Sequence, residues 1–198
     1  MFSIGLTGGI GSGKTFIAEI LKASFDIKIF DSDHSAKKII QNNKLVKKSI
    51  ILNFGKKSYV DDKINNTFIS KIVFNSPDKL VKLNSIVHPL VFKDFEDFKL
   101  KYSDKIIIIE SALLFESGMY LSNNINILVT SPIEMRLQRL IVRDKRNKEE
   151  VLKIIKSQWD DSKKTKLADF VIENINKLET EKKVKKLMSD IIAKYEEN

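Results

Sequence analysis

The 198-residue chain has no cysteine, only three prolines and a single tryptophan. The absence of cysteine excludes disulfides, zinc–thiolate sites, iron–sulfur clusters and a thiol nucleophile. No apolar run approaches the roughly 20 residues that a membrane-spanning helix needs. The first residues lack the basic leader, long apolar stretch and cleavage site of a signal peptide, so we expect a cytoplasmic protein. With 42% hydrophobic residues the chain can bury the core of one domain of ordinary size.

Arginine is scarce in a chain that is otherwise strongly basic. Only four of the 35 basic residues are arginine, while the formal net charge is +9 and the pI is near 9.5. This charge suggests an anionic partner (nucleic acid, a membrane surface or a phosphorylated small molecule), or simply lysine spread over a solvated surface.

The arginines all fall in one short window: Arg136, Arg139, Arg143 and Arg146. At helical spacing they share one face, within an arc of roughly 80°. This face is either a solvated cationic surface or part of a lid that closes over ATP phosphates. The second interpretation is favoured because arginine is the better bidentate phosphate donor and the rest of the chain uses lysine for solvated charge.

Short β-branched runs alternate with longer segments of helical periodicity, which is typical of an α/β fold. The sequence predicts strands over these ranges: Phe2–Leu6, Ile27–Phe30, Lys105–Glu110, Ile125–Thr130 and Phe170–Glu173. Helices are predicted over Lys14–Ser24 and Leu178–Lys194, and Pro132 opens a helical stretch that reaches about Lys166. The segment 34–102 is mostly helical and too long for a simple crossover, so we expect an inserted helical region.

A glycine-rich segment after the first predicted strand carries the clearest motif. Residues 8–15 read Gly-Gly-Ile-Gly-Ser-Gly-Lys-Thr, which matches G-x-x-x-x-G-K-[ST] at every fixed position. Glycines let the backbone approach phosphates closely, and N–H groups at the start of a helix bind anions. Lys14, expected to be an exposed loop residue, would reach the β- and γ-phosphates, and the Thr15 hydroxyl would bind Mg²⁺. The segment therefore predicts a nucleoside triphosphate site.

Other classes of P-loop protein are less well supported. A GTPase should carry Asp-x-x-Gly and Asn-Lys-x-Asp, neither of which follows the expected strands, and a helicase or transporter ATPase usually has Asp where this chain has Glu110. A nucleic-acid-binding ATPase is the alternative from another class. It calls for aromatic residues interleaved with basic ones on an exposed face. Phe92, Phe95 and Phe98 lie among apolar neighbours instead, which favours core packing and leaves a small-molecule kinase.

Two carboxylates follow the second predicted strand. Asp31 and Asp33 are expected at the carboxyl edge of the sheet, beside the phosphate-binding loop. An aspartate there can accept a hydrogen bond from a substrate hydroxyl and orient it for attack on the γ-phosphorus. The local sequence favours a helix N-cap instead. Both interpretations stay open, and one residue can cap the helix while the other faces the substrate.

An ordered set of motifs extends over essentially the whole chain. In chain order the motifs are Thr7–Lys14, Asp31-Ser32-Asp33, Phe54-Gly55, His88-Pro89, Ala112–Glu116, Arg139 with Arg143-Asp144 and Gln158, and Ala168–Asn174. With this set the chain resembles the dephospho-CoA kinase family. The resemblance implies a P-loop kinase fold: one domain over 1–198 with a five-stranded parallel sheet, a helical insertion over 34–102 for the CoA moiety, and a mobile helical lid over 132–166.

The resemblance also implies an activity. ATP, with Mg²⁺, would phosphorylate the ribose 3′-hydroxyl of dephospho-CoA to give coenzyme A and ADP, the last step of coenzyme A biosynthesis. The small-molecule substrate would be the main partner of a monomer or weak oligomer, with no nucleic acid and no membrane. The runner-up is another P-loop phosphotransferase that acts on a nucleoside monophosphate or a small alcohol.

Roles for individual residues follow from the same resemblance. The implied catalytic residues are Asp33, Lys14, Arg139 and Arg143. The implied ATP-binding residues are Gly8, Gly9, Ile10, Gly11, Ser12, Gly13, Lys14, Thr15, Phe16 and Asn174, the last beside the adenine. The implied acceptor-binding residues are Asp33, His88 and Leu113, where His88 is equally well read as a helix-end residue fixed by Pro89. Thr15 is the implied Mg²⁺ ligand, and assistance from Asp31 or Glu110 is left open. Departures from the family pattern occur at Phe16, Asn66 and Ala112.

Overall fold

The computed structural model describes residues 1–144 and 147–196. Its strands are β1 Ser3–Thr7, β2 Ile27–Asp31, β3 Tyr59–Val60, β4 Lys63–Ile64, β5 Ile106–Ser111, β6 Ile125–Thr130 and β7 Phe170–Glu173. Its α-helices are α1 Lys14–Ser24, α2 Ser32–Asn42, α3 Lys44–Phe54, α4 Asn66–Val73, α5 Pro77–Lys101, α6 Ile133–Asp144, α7 Lys148–Lys156, α8 Asp161–Thr165 and α9 Lys177–Glu196. In these described ranges, no helix has the length and apolar character required to cross a membrane.

The chain divides into two compact units. The core unit comprises Met1–Phe30 and Tyr102–Asn198, and the helical unit comprises Asp31–Lys101. The core unit is built on a five-stranded sheet in the order β2-β5-β1-β6-β7. β1 pairs in parallel with both β5 and β6, and β6 pairs in parallel with β7. The α/β fold and the five-stranded parallel sheet predicted from the sequence are confirmed.

The position of β1 explains where a ligand site can form. β1 is buried along its whole length and lies between β5 on one side and β6 on the other. The strand order therefore reverses at β1, and open α/β sheets bind ligands at the carboxyl ends of the strands beside such a point. The phosphate-binding loop follows β1 directly, so the topology places it where binding is expected.

Two helices cover one face of this sheet because their apolar residues recur at helical spacing. The cluster between sheet and helices contains Ile4, Leu6, Ile108, Ile127 and Val129 from the strands, Ile17 and Leu21 from α1, and Val184, Met188 and Ile191 from α9. Burying each aliphatic side chain contributes about 1.5–3 kcal/mol. The side chain of Phe16 also packs against this cluster, which accounts for its departure from the family pattern as a packing change.

The helical unit is held together mainly by α2, α3, α4 and α5. Along α5 the buried residues Val87, Val91 and Phe95 recur every four positions and form one apolar stripe. The Ser35 hydroxyl of α2 donates a hydrogen bond of 2.8 Å to Asp94 of α5. The structure agrees with the mostly helical character predicted for this stretch.

Pro89 lies inside a helix, whereas one interpretation of the sequence placed the His88-Pro89 pair at a helix end. α5 runs from Pro77 to Lys101 with Pro89 inside it. A proline inside a helix removes one backbone hydrogen bond and costs about 3 kcal/mol. The stripe of Val87, Val91 and Phe95 passes through this position and buries apolar area on both sides of Pro89, which offsets that cost. The reading of His88 as a helix-end residue is therefore wrong.

The expected core packing of the α5 phenylalanines is correct for one of them and wrong for another. Phe95 is fully buried, whereas Phe92 is 40% exposed. Phe92 and Phe98 each lie about 60° from Phe95 around the helix axis. They therefore flank the buried stripe, and Phe98 is half-buried.

A two-stranded hairpin in the helical unit was not predicted. β3 and β4 pair antiparallel across a turn formed by Asp61 and Asp62, which both have positive φ angles of 48° and 65°. Such a turn suits the right-handed twist of a hairpin, and aspartate tolerates it better than most residues. In the sequence, the Asp-Asp pair between Tyr59-Val60 and Lys63-Ile64 was the only local indication of this turn. Strands of two residues are too short to show the alternating pattern that predicts a strand.

Candidate active site

The phosphate-binding loop bridges the end of β1 and the first turn of α1. Gly13 has a φ of 103°, in the left-handed region that favours glycine, and it is the residue directly before α1. The Ser12 amide donates to the Gly9 carbonyl at 3.1 Å, which closes a tight turn in the loop. The loop thus ends at the start of a helix, where backbone N–H groups can bind an anion.

Lys14 is buried rather than exposed, contrary to the expectation from the sequence. Its residue exposure is 8%, and its Nζ donates a hydrogen bond of 2.9 Å to the Gly8 carbonyl. The Lys14 side chain therefore folds back over the phosphate-binding loop towards its first residue. This contact holds the ammonium group close to the backbone of the loop.

Two oxygen-bearing side chains meet beside the loop. The Thr15 hydroxyl donates a hydrogen bond of 2.7 Å to Glu110 Oε1. Glu110 lies near the carboxyl end of β5, opposite Leu6 of β1 in the parallel register. A hydroxyl and a carboxylate are the hard oxygen ligands that Mg²⁺ prefers, and Mg²⁺ usually keeps several waters and takes few protein ligands. The donor set fits that ion, although no group of three or more acidic or histidine side chains among the described residues is arranged to hold a metal ion.

Ile10, at the tip of the loop, is held through both its backbone groups. Its amide donates to Gln158 Oε1 at 2.8 Å, and its carbonyl accepts from Arg136 Nε at 2.9 Å. Arg136 is only 6% exposed and its Nη1 lies 3.4 Å from Asp161. Burial lowers the pKa of the Arg136 guanidinium below its usual value, and the Asp161 carboxylate opposes that shift. A Cβ at Gly9 would overlap this guanidinium, so the close approach requires glycine.

Arg139 contacts the other side of the loop. Its Nη1 lies within 3.2 Å of the Gly11 and Ser12 carbonyls and 3.1 Å from the Ser131 hydroxyl. Its Nη2 donates to the Asn174 carbonyl at 3.1 Å. The two Nη groups of Arg139 therefore connect the loop to Ser131, which follows β6, and to Asn174, which follows β7.

Asn174 is a buried residue that also fixes the loop. It is 3% exposed, and its Nδ2 donates to the Ser12 carbonyl at 2.8 Å while its Oδ1 accepts from the Thr180 hydroxyl at 3.2 Å. A Cβ at Gly13 would collide with the Asn174 amide, which explains the glycine there in addition to its φ angle. Both polar atoms of the Asn174 side chain are engaged with the protein. The predicted position of Asn174 beside adenine remains a prediction.

The arginine stripe is graded along its helix. Arg136 is buried, Arg139 is half-buried, and Arg143 is exposed near the end of α6. A solvated cationic face does not describe the first two, because their guanidinium groups are committed to the phosphate-binding loop. Arg146 lies outside the described residues.

The two aspartates of the sequence motif lie at the start of the helical unit and differ in role. Asp31 is the N-cap of α2, and its Oδ1 accepts the His34 amide at 2.9 Å. Asp33 lies in the first turn of α2, two residues after the end of β2. The helix cap is therefore made by Asp31, and Asp33 is not needed for it.

The two other predicted acceptor residues lie in different units. His88 is half-buried on α5 of the helical unit. Leu113 follows β5 in the core unit, and its amide donates to the Ser111 hydroxyl at 3.3 Å. Their role toward a substrate remains a prediction.

A large cavity lies away from these residues. It encloses about 820 Å³ at the amino-terminal edge of the sheet, and its lining includes Phe2, Ile125, Phe170 and Tyr195. None of the residues predicted for ATP or acceptor binding lines it. The phosphate-binding loop lies at the carboxyl edge, so the cavity is separate from the candidate site.

Comparison with known proteins identifies the family. The family model for dephospho-CoA kinase matches residues 2–180. A dephospho-CoA kinase from Fusobacterium nucleatum is 44% identical over 179 residues, which cover 89% of this chain and 91% of that protein. The chain belongs to the dephospho-CoA kinase family.

Solved structures agree with membership of the dephospho-CoA kinase family. A dephospho-CoA kinase from Campylobacter jejuni is 30% identical, with a TM-score of 0.68 and 96% coverage of each chain. A shikimate kinase from Acinetobacter baumannii, in complex with shikimate, has a TM-score of 0.55 and 18% identity over 98% of this chain and 94% of that chain. The second likeness shows the fold alone. The predicted P-loop kinase fold and the family resemblance are confirmed.

Sequence reasoning missed part of the site of this dephospho-CoA kinase family member. It placed Arg136 on the arginine face of the lid without a role of its own, named Gln158 only as a motif residue and did not consider Ser131. It also did not recognise that Asn174 binds the loop backbone. The signal for Arg136 was present, because it opens the arginine stripe. The partners of Gln158 and Asn174 lie 148 and 162 residues away in the chain, and no local pattern reports a contact at such separation.

The burial of Arg136 leads to a stability prediction. Arg136→Ala removes charge-assisted bonds to Ile10 and Asp161, which are worth about 2–3 kcal/mol together. We expect the melting temperature to fall by roughly 5–10 °C. Differential scanning calorimetry checks this, with Arg143→Ala on the exposed part of the same helix as the control. Equal shifts in the two variants would contradict the assignment of Arg136 as a buried anchor of the loop.

Proposed function

We propose that this chain transfers the γ-phosphoryl group of ATP to the ribose 3′-hydroxyl of dephospho-CoA and releases ADP and coenzyme A. This is the last step of coenzyme A biosynthesis. The match of the dephospho-CoA kinase family model to residues 2–180 is the observation that carries the proposal. The phosphate-binding loop at the carboxyl edge of the sheet supports it with a site for the ATP phosphates.

The loop and Lys14 bind and orient the ATP phosphates. Backbone N–H groups of the glycine-rich segment and the positive end of α1 attract the phosphate oxygens. Lys14 exchanges its hydrogen bond with the Gly8 carbonyl for the β- and γ-phosphates. Its charge then opposes the negative charge on the transferring group. These interactions are preorganised because Gln158, Arg136, Arg139 and Asn174 already fix the loop backbone.

Thr15 and Glu110 would hold Mg²⁺. The Thr15 hydroxyl would be a direct ligand of the ion, and Glu110 would either be a second ligand or accept a hydrogen bond from a bound water. When bound, Mg²⁺ neutralises charge on the phosphates and fixes their geometry. The present bond between Thr15 and Glu110 keeps both oxygens close together, so little rearrangement is needed.

Asp33 positions the acceptor hydroxyl. Its carboxylate accepts a hydrogen bond from the 3′-hydroxyl, orients the oxygen for in-line attack and receives its proton. Asp31 is not available for this role in the same way, because its carboxylate caps α2. The helical insertion over 34–102, with His88, and Leu113 of the core unit bind the remainder of the acceptor.

The segment 132–166 acts as a lid over ATP. Arg143, together with Arg139 once it exchanges part of its contacts with the loop for phosphate oxygens, stabilises the transferring phosphoryl group. A planar guanidinium can donate two parallel hydrogen bonds to phosphate, which lysine cannot. ATP-binding contacts also come from Phe16 and from the surroundings of Asn174 beside the adenine. The enzyme works as a cytoplasmic monomer or weak oligomer and needs neither nucleic acid nor a membrane.

Conservative substitutions separate charge from geometry at the two arginines. We expect Arg139→Lys and Arg143→Lys each to slow turnover at least about tenfold, which corresponds to about 1.4 kcal/mol of transition-state stabilisation. Arg139→Lys also lowers the melting temperature, since it loses contacts to the loop, whereas Arg143→Lys does not. Steady-state kinetics and calorimetry measure both effects. A wild-type rate for Arg143→Lys would return that residue to the solvated surface.

A coupled assay of ADP release tests the proposed function. Dephospho-CoA, adenosine and water are compared as acceptors under the same ATP concentration. We expect ADP release to depend on dephospho-CoA, with much slower release in the presence of adenosine or with water alone. Dependence on added polynucleotide, in a parallel reaction without dephospho-CoA, would support a nucleic-acid-dependent ATPase and contradict the proposal.

A further inference from the structure

An ion pair between a fully buried lysine and a largely buried glutamate lies in the core unit, and the proposed chemistry gives neither residue a role. Lys164 of α8 is 0% exposed, and its Nζ lies 2.9 Å from Glu116 Oε1. The Glu116 side chain is 11% exposed. Its second oxygen, Oε2, is buried and has no hydrogen-bond partner among the described residues. The two charges are therefore largely removed from water, with few compensating hydrogen bonds.

Stability is a weak reason for such a pair. Desolvation of two charges offsets most of their attraction, and apolar residues of similar volume often stabilise a protein as well or better. Each charge needs the other once both are buried, because a lone buried charge is strongly destabilising. A role in positioning a neighbouring group accounts for the pair better than a contribution to the free energy of unfolding.

The neighbouring group is the chain segment that contacts the loop. Glu116 Oε1, the oxygen beside Lys164, also accepts the Trp159 amide at 3.0 Å. Gln158 comes directly before Trp159, and its Oε1 accepts the Ile10 amide of the loop at 2.8 Å. A continuous series of contacts thus connects Lys164 to Glu116, Glu116 to the backbone of Trp159, and Gln158 to the tip of the phosphate-binding loop.

We propose that Glu116, fixed by Lys164, is a positioning residue for ATP binding: it anchors the Trp159 amide so that Gln158 holds Ile10 in the conformation that receives phosphates. The inference rests on the proposed function, because it assumes that the loop binds ATP. A loop that is ordered before binding loses less conformational entropy when ATP arrives. Loss of the anchor should therefore weaken ATP binding while the fold remains.

Two double variants isolate the anchoring contact. Both double variants remove the ion pair and leave uncharged side chains at positions 116 and 164. Glu116→Gln with Lys164→Met keeps an oxygen that can accept the Trp159 amide, whereas Glu116→Leu with Lys164→Met has none. We expect the first to bind ATP within about twofold of the wild type and the second about fivefold to tenfold more weakly, the range for one lost hydrogen bond. Isothermal titration calorimetry with ATP measures the affinities, and melting temperatures report the fold.

A thermodynamic cycle with Gln158 tests whether the effect passes through that residue. Gln158→Ala alone should weaken ATP binding about fivefold to tenfold, and adding it to the leucine–methionine variant should cause no further loss. Multiplication of the two effects would mean that they are independent and would overturn the proposal. Equal ATP affinities of the two double variants would also overturn the proposal. An unchanged ATP affinity of Gln158→Ala would do the same, and this last test does not require the leucine–methionine variant to fold.

A surface ion pair supplies the matched control. Lys185 and Glu181 lie 2.7 Å apart on α9 with both side chains well exposed, and Lys185→Met should leave the ATP affinity unchanged. Trp159 is the only tryptophan of the chain, so its fluorescence should shift in the leucine–methionine variant and remain unaltered in the control. These measurements use ATP without an acceptor. If ATP binds but dephospho-CoA is not phosphorylated, the proposed function fails while the positioning role of Glu116 is still tested.

Discussion

Replacing Lys14 by methionine is expected to lower kcat at least about 100-fold, the usual cost of removing one preorganised group that stabilises developing charge. Methionine is an unbranched apolar side chain of similar length, so the packing of this buried side chain is largely kept. The lost group is the ammonium that reaches the β- and γ-phosphates. Steady-state measurement of kcat and KM for ATP, with dephospho-CoA saturating, checks the prediction.

The control for Lys14 lies on the same helix. Lys22 is exposed in the last turn of α1, and Lys22→Met should keep a wild-type kcat. Calorimetry should find little change in the melting temperature of Lys14→Met, since an apolar replacement removes a desolvation cost together with the hydrogen bond to Gly8. A near-normal kcat in Lys14→Met would mean that the loop does not bind the phosphates as proposed.

Asp33→Asn is expected to slow phosphoryl transfer about 100-fold or more, because an amide can neither receive the proton of the acceptor hydroxyl nor orient it as a carboxylate does. The affinity for ATP should stay normal, since Asp33 is assigned to the acceptor. Rapid-quench measurement of a single turnover, together with calorimetric titration of ATP, separates transfer from binding.

Asp31 provides the matched comparison two residues earlier. Asparagine is nearly as good an N-cap as aspartate, so Asp31→Asn should keep both the stability and the rate close to wild type. The structure makes this contrast sharp because it assigns the cap to Asp31. An active Asp33→Asn enzyme with a slow Asp31→Asn enzyme would exchange the two roles and overturn the assignment of the base.

The central strands β5, β1 and β6 could be predicted from the sequence because they are mostly buried on both faces. Continuous β-branched runs such as Ile106–Ile109 have no other good explanation, and the predicted strand limits differ from the observed ones by at most one residue at either end. The helix through Pro89 could not be predicted, since tertiary packing of Val87 and Val91 overrides a local rule. The hairpin around Asp61 escaped because its strands are too short for periodicity.

The candidate site also has a part that could be predicted from the sequence and a part that could not. The phosphate-binding loop was predictable because its chemistry requires glycines, a lysine and a hydroxyl at fixed local spacing. The groups that hold the loop in place are distant in the chain: Arg136 meets Ile10 across 126 residues. Such contacts depend on the order of the strands in the sheet, and no local stretch of the sequence indicates that order. For the same reason Lys14 was expected to be exposed, whereas the folded loop buries it.

The position of the transferred phosphate tests the central claim most directly. The wild-type protein is incubated with ATP, Mg²⁺ and dephospho-CoA, and the purified product is examined by two-dimensional ¹H–³¹P NMR. The account predicts a new phosphomonoester that couples to the ribose H3′ proton and appears in step with ADP. A phosphate on any other hydroxyl, or ADP formed together with inorganic phosphate and unchanged dephospho-CoA, would contradict it.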